Sequence, residues 1–436
     1  WLGRGEGFEL SGVGTHVYAE IDATSIDVES FERAWNALVQ RHDMLRMVVG
    51  ADGEQHVMRD VPHYRIAVDA APGARERTRA ALSHQFFSGH DWPLFELRVS
   101  RDAAPTLHLS LDALVLDLAS VQLLSRELSA LYADAHAALP ALPLTFRDYV
   151  LAERAVERTP AFARAKAYWQ ARLDTLPGPP DLPLACDPAA IGTPRFERRR
   201  LHLPADAWSR LKALATQRRI SPNILVSGCY AEVLRLWSRD ERFVLNFTLF
   251  NRLPLHERID DIVGDFTSLT LLEVDAAGGA RFSDRLAAMQ RQMWSDLEHR
   301  YYGGIRVQQD LTQRRGPGVR YPLVVTSALG LENIQSPQPF DIYPAVQLTQ
   351  TPQVWIDFLV SEHDGALCCH WDSVQGLFPS GLLDAVVERF AALLQRLADE
   401  PDAIDEYRPV ALPCAAASLI ATTNATQTGY GFSGLS

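Results

Sequence analysis

Between Pro177 and Pro188 the chain reads PGPPDLPLACDP, and this stretch limits its folding more than any other feature. Six of its residues are proline or glycine. A proline has no amide donor and a fixed φ, so neither a helix nor a central strand runs through such a segment. At 436 residues the chain is also too long for one hydrophobic core. One lobe is therefore expected over residues 1–176 and a second over 177–413. The tail at 414–436 is polar and rich in Gly, Ser and Thr, as an interdomain linker would be. With Trp1 where an initiator Met would stand, both ends are expected to be cut from a longer protein.

Strand and helix signals alternate on both sides of the break. Glu29 to Met47 places Phe31, Trp35, Leu38, Val39, His42 and Leu45 on one helical face. Thr106 to Leu111 alternates strictly, with Leu107, Leu109 and Leu111 on one side, and predicts a half-buried strand. Leu118 to Leu131 then switches to helical spacing. In the second half Ser221-Pro222 starts a buried helix, because Pro suits a first turn. Phe243 to Phe250, Pro322 to Leu329, Val354 to Val360 and Ala366 to Trp371 read as strands, and Ser380 to Leu397 as a closing helix. The expected class is α/β (α+β).

Charge and cysteine usage narrow the function. The formal net charge is -12, which excludes the basic stripe of a nucleic-acid binder. The one basic run, Arg195 to Arg200 (RFERRR), reads as a solvated loop or strand edge. Five cysteines fit neither a metal-ligand spacing nor a disulfide framework, so a reduced, cytosolic protein is expected. No apolar run reaches the roughly 18 residues of a membrane span. Phosphate loops, G-x-G-x-x-G turns, G-x-S-x-G elbows and H-E-x-x-H helices are all missing from the sequence. The chemistry is therefore expected to be acid–base work or positioning, with no metal.

The densest constellation is Asp112 and Asp117 in DALVLD, followed by Ser120. Two carboxylates flank Ala113-Leu114-Val115-Leu116, and a buried carboxylate is unfavourable unless it is paired or hydrogen-bonded. In a purely structural reading, Asp117 caps the helix that follows and Asp112 pairs with an arginine.

DALVLDLAS, lying between an alternating strand and a helix, resembles the D-x-x-x-x-D core of heterocyclisation domains of nonribosomal peptide synthetases. Ordinary condensation domains carry H-H-x-x-x-D-G there; here Asp112 and Ala113 stand in place of the two histidines. Further segments resemble that family in its order: Trp1 to Arg4 (WLGR), Leu144 to Val150 (LTFRDYV), Thr248 to Leu255 (TLFNRLPL) and Val263 to Leu269 (VGDFTSL). Val324 to Leu329 (VVTSAL), Gln350 to Asp357 (QTPQVWID) and Trp371 to Phe378 (WDSVQGLF) complete the set.

The resemblance implies two lobes similar to chloramphenicol acetyltransferase, forming a V-shaped pseudodimer with a central tunnel. It implies no directly bound cofactor. Phosphopantetheine arms of an upstream carrier protein and of a downstream carrier domain, beside an adenylation domain, would deliver the substrates. The amine of a tethered Cys, Ser or Thr would attack the upstream thioester, and its side chain would then close a thiazoline or oxazoline with loss of water. Amide formation alone, or non-catalytic carrier docking, are the competing readings.

Ring closure needs a base for the thiol or hydroxyl and an acid for the departing oxygen. Asp357 lies on the strand face shared by Trp355 and Leu359, where partial desolvation raises a carboxyl pKa. Thr326 is placed to orient it, and the resemblance gives both a part in cyclodehydration. The plainer alternatives are an edge-strand carboxylate and a threonine chosen for β-propensity. Asn251 offers a donor and an acceptor for an amide or tetrahedral oxygen, or is simply a turn residue. Arg252 follows it; Asp265 is expected to brace the tunnel, and Gln350, Gln353 and Ser327 to contact substrate.

Overall fold

Two open sheets carry the fold, and one strand from the second half of the chain is paired into the first sheet. The structure, a computed structural model, describes residues 10, 12–277, 279–316, 318–330 and 346–410. Trp1 to Arg4, Cys414 and the expected linker at 414–436 lie outside the described residues.

The first half runs β1 (His16–Asp22), α1 (Val28–Arg41), β2 (Met47–Val49), β3 (Gln55–Val57), β4 (Ala67–Asp69) and α2 (Ala74–Leu82). It continues with β5 (Phe95–Ser100), β6 (Thr106–Asp112), α3 (Leu118–Ala133), α4 (Phe146–Val156) and α5 (Pro160–Arg172). Capping side chains mark the helix starts. Asp27 accepts from the Ser30 amide at α1, Asp117 from the Ser120 amide at α3, and Thr145 and Asp148 form a reciprocal capping box at α4. The expected helix over 29–47 stops at Arg41, because His42 turns extended (φ -100, ψ 113) and Asp43–Arg46 forms a separate 3-10 turn. Phe31, Trp35, Leu38 and Val39 of α1 pack with Leu107 and Leu111 of β6 and Leu124 and Leu128 of α3.

The second half begins after the proline-rich break, where the described residues 177–187 form neither strand nor helix. It comprises β7 (Phe196–Leu203), α6 (Ala205–Gln217), α7 (Pro222–Leu234), β8 (Arg242–Phe250), β9 (Thr267–Asp275), α8 (Phe282–Glu298) and α9 (Gly304–Arg315). Then follow β10 (Leu323–Ser327), β11 (Val346–Gln350), β12 (Ile356–His363), β13 (Ala366–Val374) and α10 (Leu382–Asp399). The larger sheet has the order β7-β13-β12-β10-β8-β9. Its helix-facing side buries Phe247, Val325, Ile356, Phe358 and Trp371 against Tyr230 of α7 and Phe390 of α10.

The smaller sheet is ordered β11-β1-β6-β5-β4. Its edge strand β11 pairs antiparallel with β1, Leu348 opposite Tyr18. Other segments also cross. Leu253, Ile259, Ile262, Val263 and Phe266 join the first core, while Ala165 and Trp169 of α5 pack with Val244 and Leu271 of the second sheet. The class is mixed α/β, as the alternating signals predict. Among the described residues no helix is long and apolar enough to cross a membrane.

Candidate active site

Strand alternation gives the larger sheet two unlike faces. Where Ile356 and Phe358 of β12 point into the helix-packed core, Asp357 and Leu359 point away from it. The register then gathers polar side chains on that second face. Asp357 stands opposite Asp372 of β13 and beside Val324 of β10, and Asp372 stands opposite Arg198 of β7. Thr326 of β10 pairs with Thr248 of β8.

The contacts form two linked groups. The Thr326 hydroxyl donates to Asp357 Oδ1 at 2.9 Å, and the Thr248 and Thr326 hydroxyls lie 3.0 Å apart. Asp372, fully buried, accepts from Arg198 Nε at 2.6 Å and from the Thr349 amide at 2.7 Å. Arg198 also donates to Gln347 Oε1 at 3.1 Å, so β11 is tied to this face from the first sheet. Burial first, and then the Asp372 charge, push the Asp357 carboxyl up to about 7, against the smaller pulls of Thr326, Arg198 and Thr349. A group so placed exchanges protons near neutral pH, as a general acid–base must. Nearby, burial and then Arg198 and Arg200 hold His370 down at about 3, so its ring is neutral there.

Thr326 and Asp357, singled out in the sequence, are thus brought together. Ser327 is not with them: one residue along β10, its hydroxyl donates to Asn223 Oδ1 at the start of α7, on the helix-packed side. Gln350 is buried in the first sheet, where its amide donates to the Gln85 carbonyl at 3.2 Å. Gln353 sits between β11 and β12 with φ 64.

Asn251 lies three residues beyond Thr248, roughly 10 Å along an extended chain. It is buried, its amide donates to Phe266 O, and its carbonyl accepts from the Tyr149 hydroxyl at 3.0 Å.

DALVLD builds a latch. Asp117 Oδ1 accepts from the Ser120 amide at 2.7 Å and from Arg252 Nη2 at 3.1 Å. The Ser120 hydroxyl donates to the Gly264 carbonyl at 2.9 Å and accepts from the Gly264 amide at 3.1 Å. Arg252 also binds the Ile259 and Ile262 carbonyls and lies 4.0 Å over the Phe266 ring. Asp112, fully buried, accepts from the Leu114 amide at 2.9 Å. Asp265 is exposed and accepts from the Thr267 amide.

Sequence reasoning missed Asp372, Arg198, Thr349 and Thr248. RFERRR is a strand edge, as expected, but Arg198 within it is turned inward, with 5% of its side chain exposed. A lone acid between Trp371 and Ser373 was the available signal for Asp372.

The site is thus a carboxyl–hydroxyl pair on one face of the larger sheet of a mixed α/β fold. The family model described as Condensation domain matches residues 15–408, and the chain belongs to that family. It is the pseudodimer of two lobes similar to chloramphenicol acetyltransferase, on the heterocyclisation side of the family.

The chain is 38% identical to pyochelin synthetase PchF of Pseudomonas aeruginosa over 96% of its length, spanning 24% of that protein. It is 36% identical to phenyloxazoline synthase MbtB of Mycolicibacterium paratuberculosis over 95% of its length, spanning 36% of that one. Among solved structures it resembles the EpoB NRPS cyclization-docking bidomain from Sorangium cellulosum. The TM-score is 0.84 at 37% identity, covering 92% of this chain and 83% of that one. The first condensation domain of the calcium-dependent antibiotic synthetase, at 17% identity and TM-score 0.74, shares the fold.

Proposed function

We propose that this chain joins an upstream carrier-bound acyl thioester to a carrier-bound Cys, Ser or Thr and then closes the new amide into a thiazoline or oxazoline. The two lobes would divide near residue 177, with carrier arms reaching the Asp357 face of the larger sheet from either end. The amine attacks the thioester carbon and the pantetheine thiol leaves. The acceptor's thiol or hydroxyl then adds to the amide carbonyl. The C–O bond of the resulting hydroxyl breaks as water departs, and the nitrogen gives up its proton to form C=N.

One observation carries the reading: the Thr326-bound Asp357 carboxyl, held near neutral pKa on the face of the larger sheet turned away from α7 and α10. Protonated, it serves the leaving hydroxyl; ionised, it takes the nitrogen proton. Holding both partners in place would supply roughly 7–11 kcal/mol of the barrier reduction. Asn251 is assigned the amide or tetrahedral oxygen, Gln350 and Gln353 the substrate arm, and Asp112, Asp117, Ser120, Arg252 and Asp265 the support of the channel.

The test supplies purified protein with a carrier-bound acyl donor and a cysteinyl acceptor on its carrier, and weighs the product. The expected mass is the amide less one water. Linear amide alone would support a condensation-only domain, and no transfer a docking module; either contradicts the proposal.

A further inference from the structure

Asp357 and Asp372 face each other across the β12–β13 ladder, yet their surroundings are opposite. Asp372 is enclosed by donors: Arg198 addresses both of its oxygens, and the Thr349 amide and hydroxyl both reach Oδ2. Such a set favours a negative charge. Asp357 receives the Thr326 hydroxyl on Oδ1. After burial itself, the Asp372 charge across the ladder is what favours the protonated form of Asp357.

Among the described residues, the charged and titratable groups on this face are these. β13 contributes Asp372 and His370, and β7 contributes Arg198 and Arg200. β10 and β8 contribute the hydroxyls of Thr326 and Thr248, and β11 contributes Thr349 and Gln347. From the helix-packed side, the Tyr230 phenol of α7 feels the Asp357 charge. His370 is neutral, so Asp372 is the negative charge that weighs on Asp357, with Arg198 and Thr349 pulling the other way.

From this geometry we infer that Asp372, clamped by Arg198 and Thr349, is a positioning residue that sets the proton occupancy of Asp357 during ring closure. The inference rests on the reading of Asp357 as the acid–base of cyclisation. Because β11 is laddered to β1 of the first sheet, the clamp is complete only when both sheets are in place.

The experiment is a single-turnover pH profile of ring closure by the whole chain, with carrier-bound acyl donor and carrier-bound cysteine, scoring linear amide and ring separately by mass. Asp372→Asn removes the facing charge and moves the alkaline limb down by about one pH unit. Thr349→Val removes a hydroxyl that favours the charged Asp357 and moves the limb up. A merely structural role lowers the rate at every pH and leaves the limb where it was. That outcome, in either folded variant, overturns the inference. Thr349→Val, a near-isosteric change, keeps the test open if Asp372→Asn does not fold. Asp357→Asn run in parallel separates the two failures. If it closes rings as fast as the parent, the functional reading falls and the inference with it. If it stalls while the limb stays put in the other variants, the inference alone falls.

Discussion

Asp357 is ionisable at neutral pH because of where it is held, and that has a thermodynamic consequence. Its carboxyl titrates near 7 in the fold against an ordinary 3.8. The folded chain therefore binds this proton more tightly than the unfolded chain does. The stability so gained is complete below pH 4 and is lost as pH rises through 7. Asp357→Asn is expected to be more stable than the parent at pH 8, by about 1–3 kcal/mol, with the advantage shrinking toward pH 5. Urea unfolding at both pH values measures it; a pH-independent difference would mean that the carboxyl is not held protonated. At this scale the sequence was half legible. Trp355, Asp357 and Leu359 alternate with buried Ile356 and Phe358, so the acid's face was readable from spacing alone. Its opposite number was not, because Asp372 and Arg198 are 174 residues apart in sequence and meet only through strand pairing.

At the level of elements, α3, α4 and the segment before β9 are locked at Gly264. Both its amide and its carbonyl are bound by the Ser120 hydroxyl, and a Cβ there would lie 2.1 Å from Phe146 Cδ2. Gly264→Ala is expected to destabilise the fold by about 1–3 kcal/mol through overpacking. Phe146→Leu in the same chain should recover part of that loss, so a double-mutant cycle in denaturant that shows simple additivity would refute the lock. The D-x-x-x-x-D spacing announced a capped helix, and Asp117 caps α3 as the structural reading expected. Arg252 as its partner was hidden, since nothing in DALVLD encodes a residue from the far half of the chain. β11 was hidden for the same reason: the strand reading began at Val354, whereas Gln350 already ends a strand of the first sheet and Ile356 begins one of the second.

For the whole molecule, the crossing segments decide how the lobes behave. The proline-rich break interrupts the regular elements at 177–187 but does not tell which residues share a core. Leu253 and Phe266 sit in the first core and Trp169 packs on the second sheet, so neither half buries its apolar surface alone. One cooperative unfolding transition is therefore expected by calorimetry; two well-separated transitions would contradict this interleaving.

The account as a whole rests on a proton held at position 357, on the face of the larger sheet turned away from α7 and α10. Its most direct test is a single turnover of Asp357→Asn at pH 7, with both carriers loaded and amide and ring followed separately. Linear amide should accumulate while ring closure slows by on the order of a hundredfold or more, the scale of a lost general acid–base. A variant that releases water and closes the ring at the parent's rate would show that the chemistry lies elsewhere.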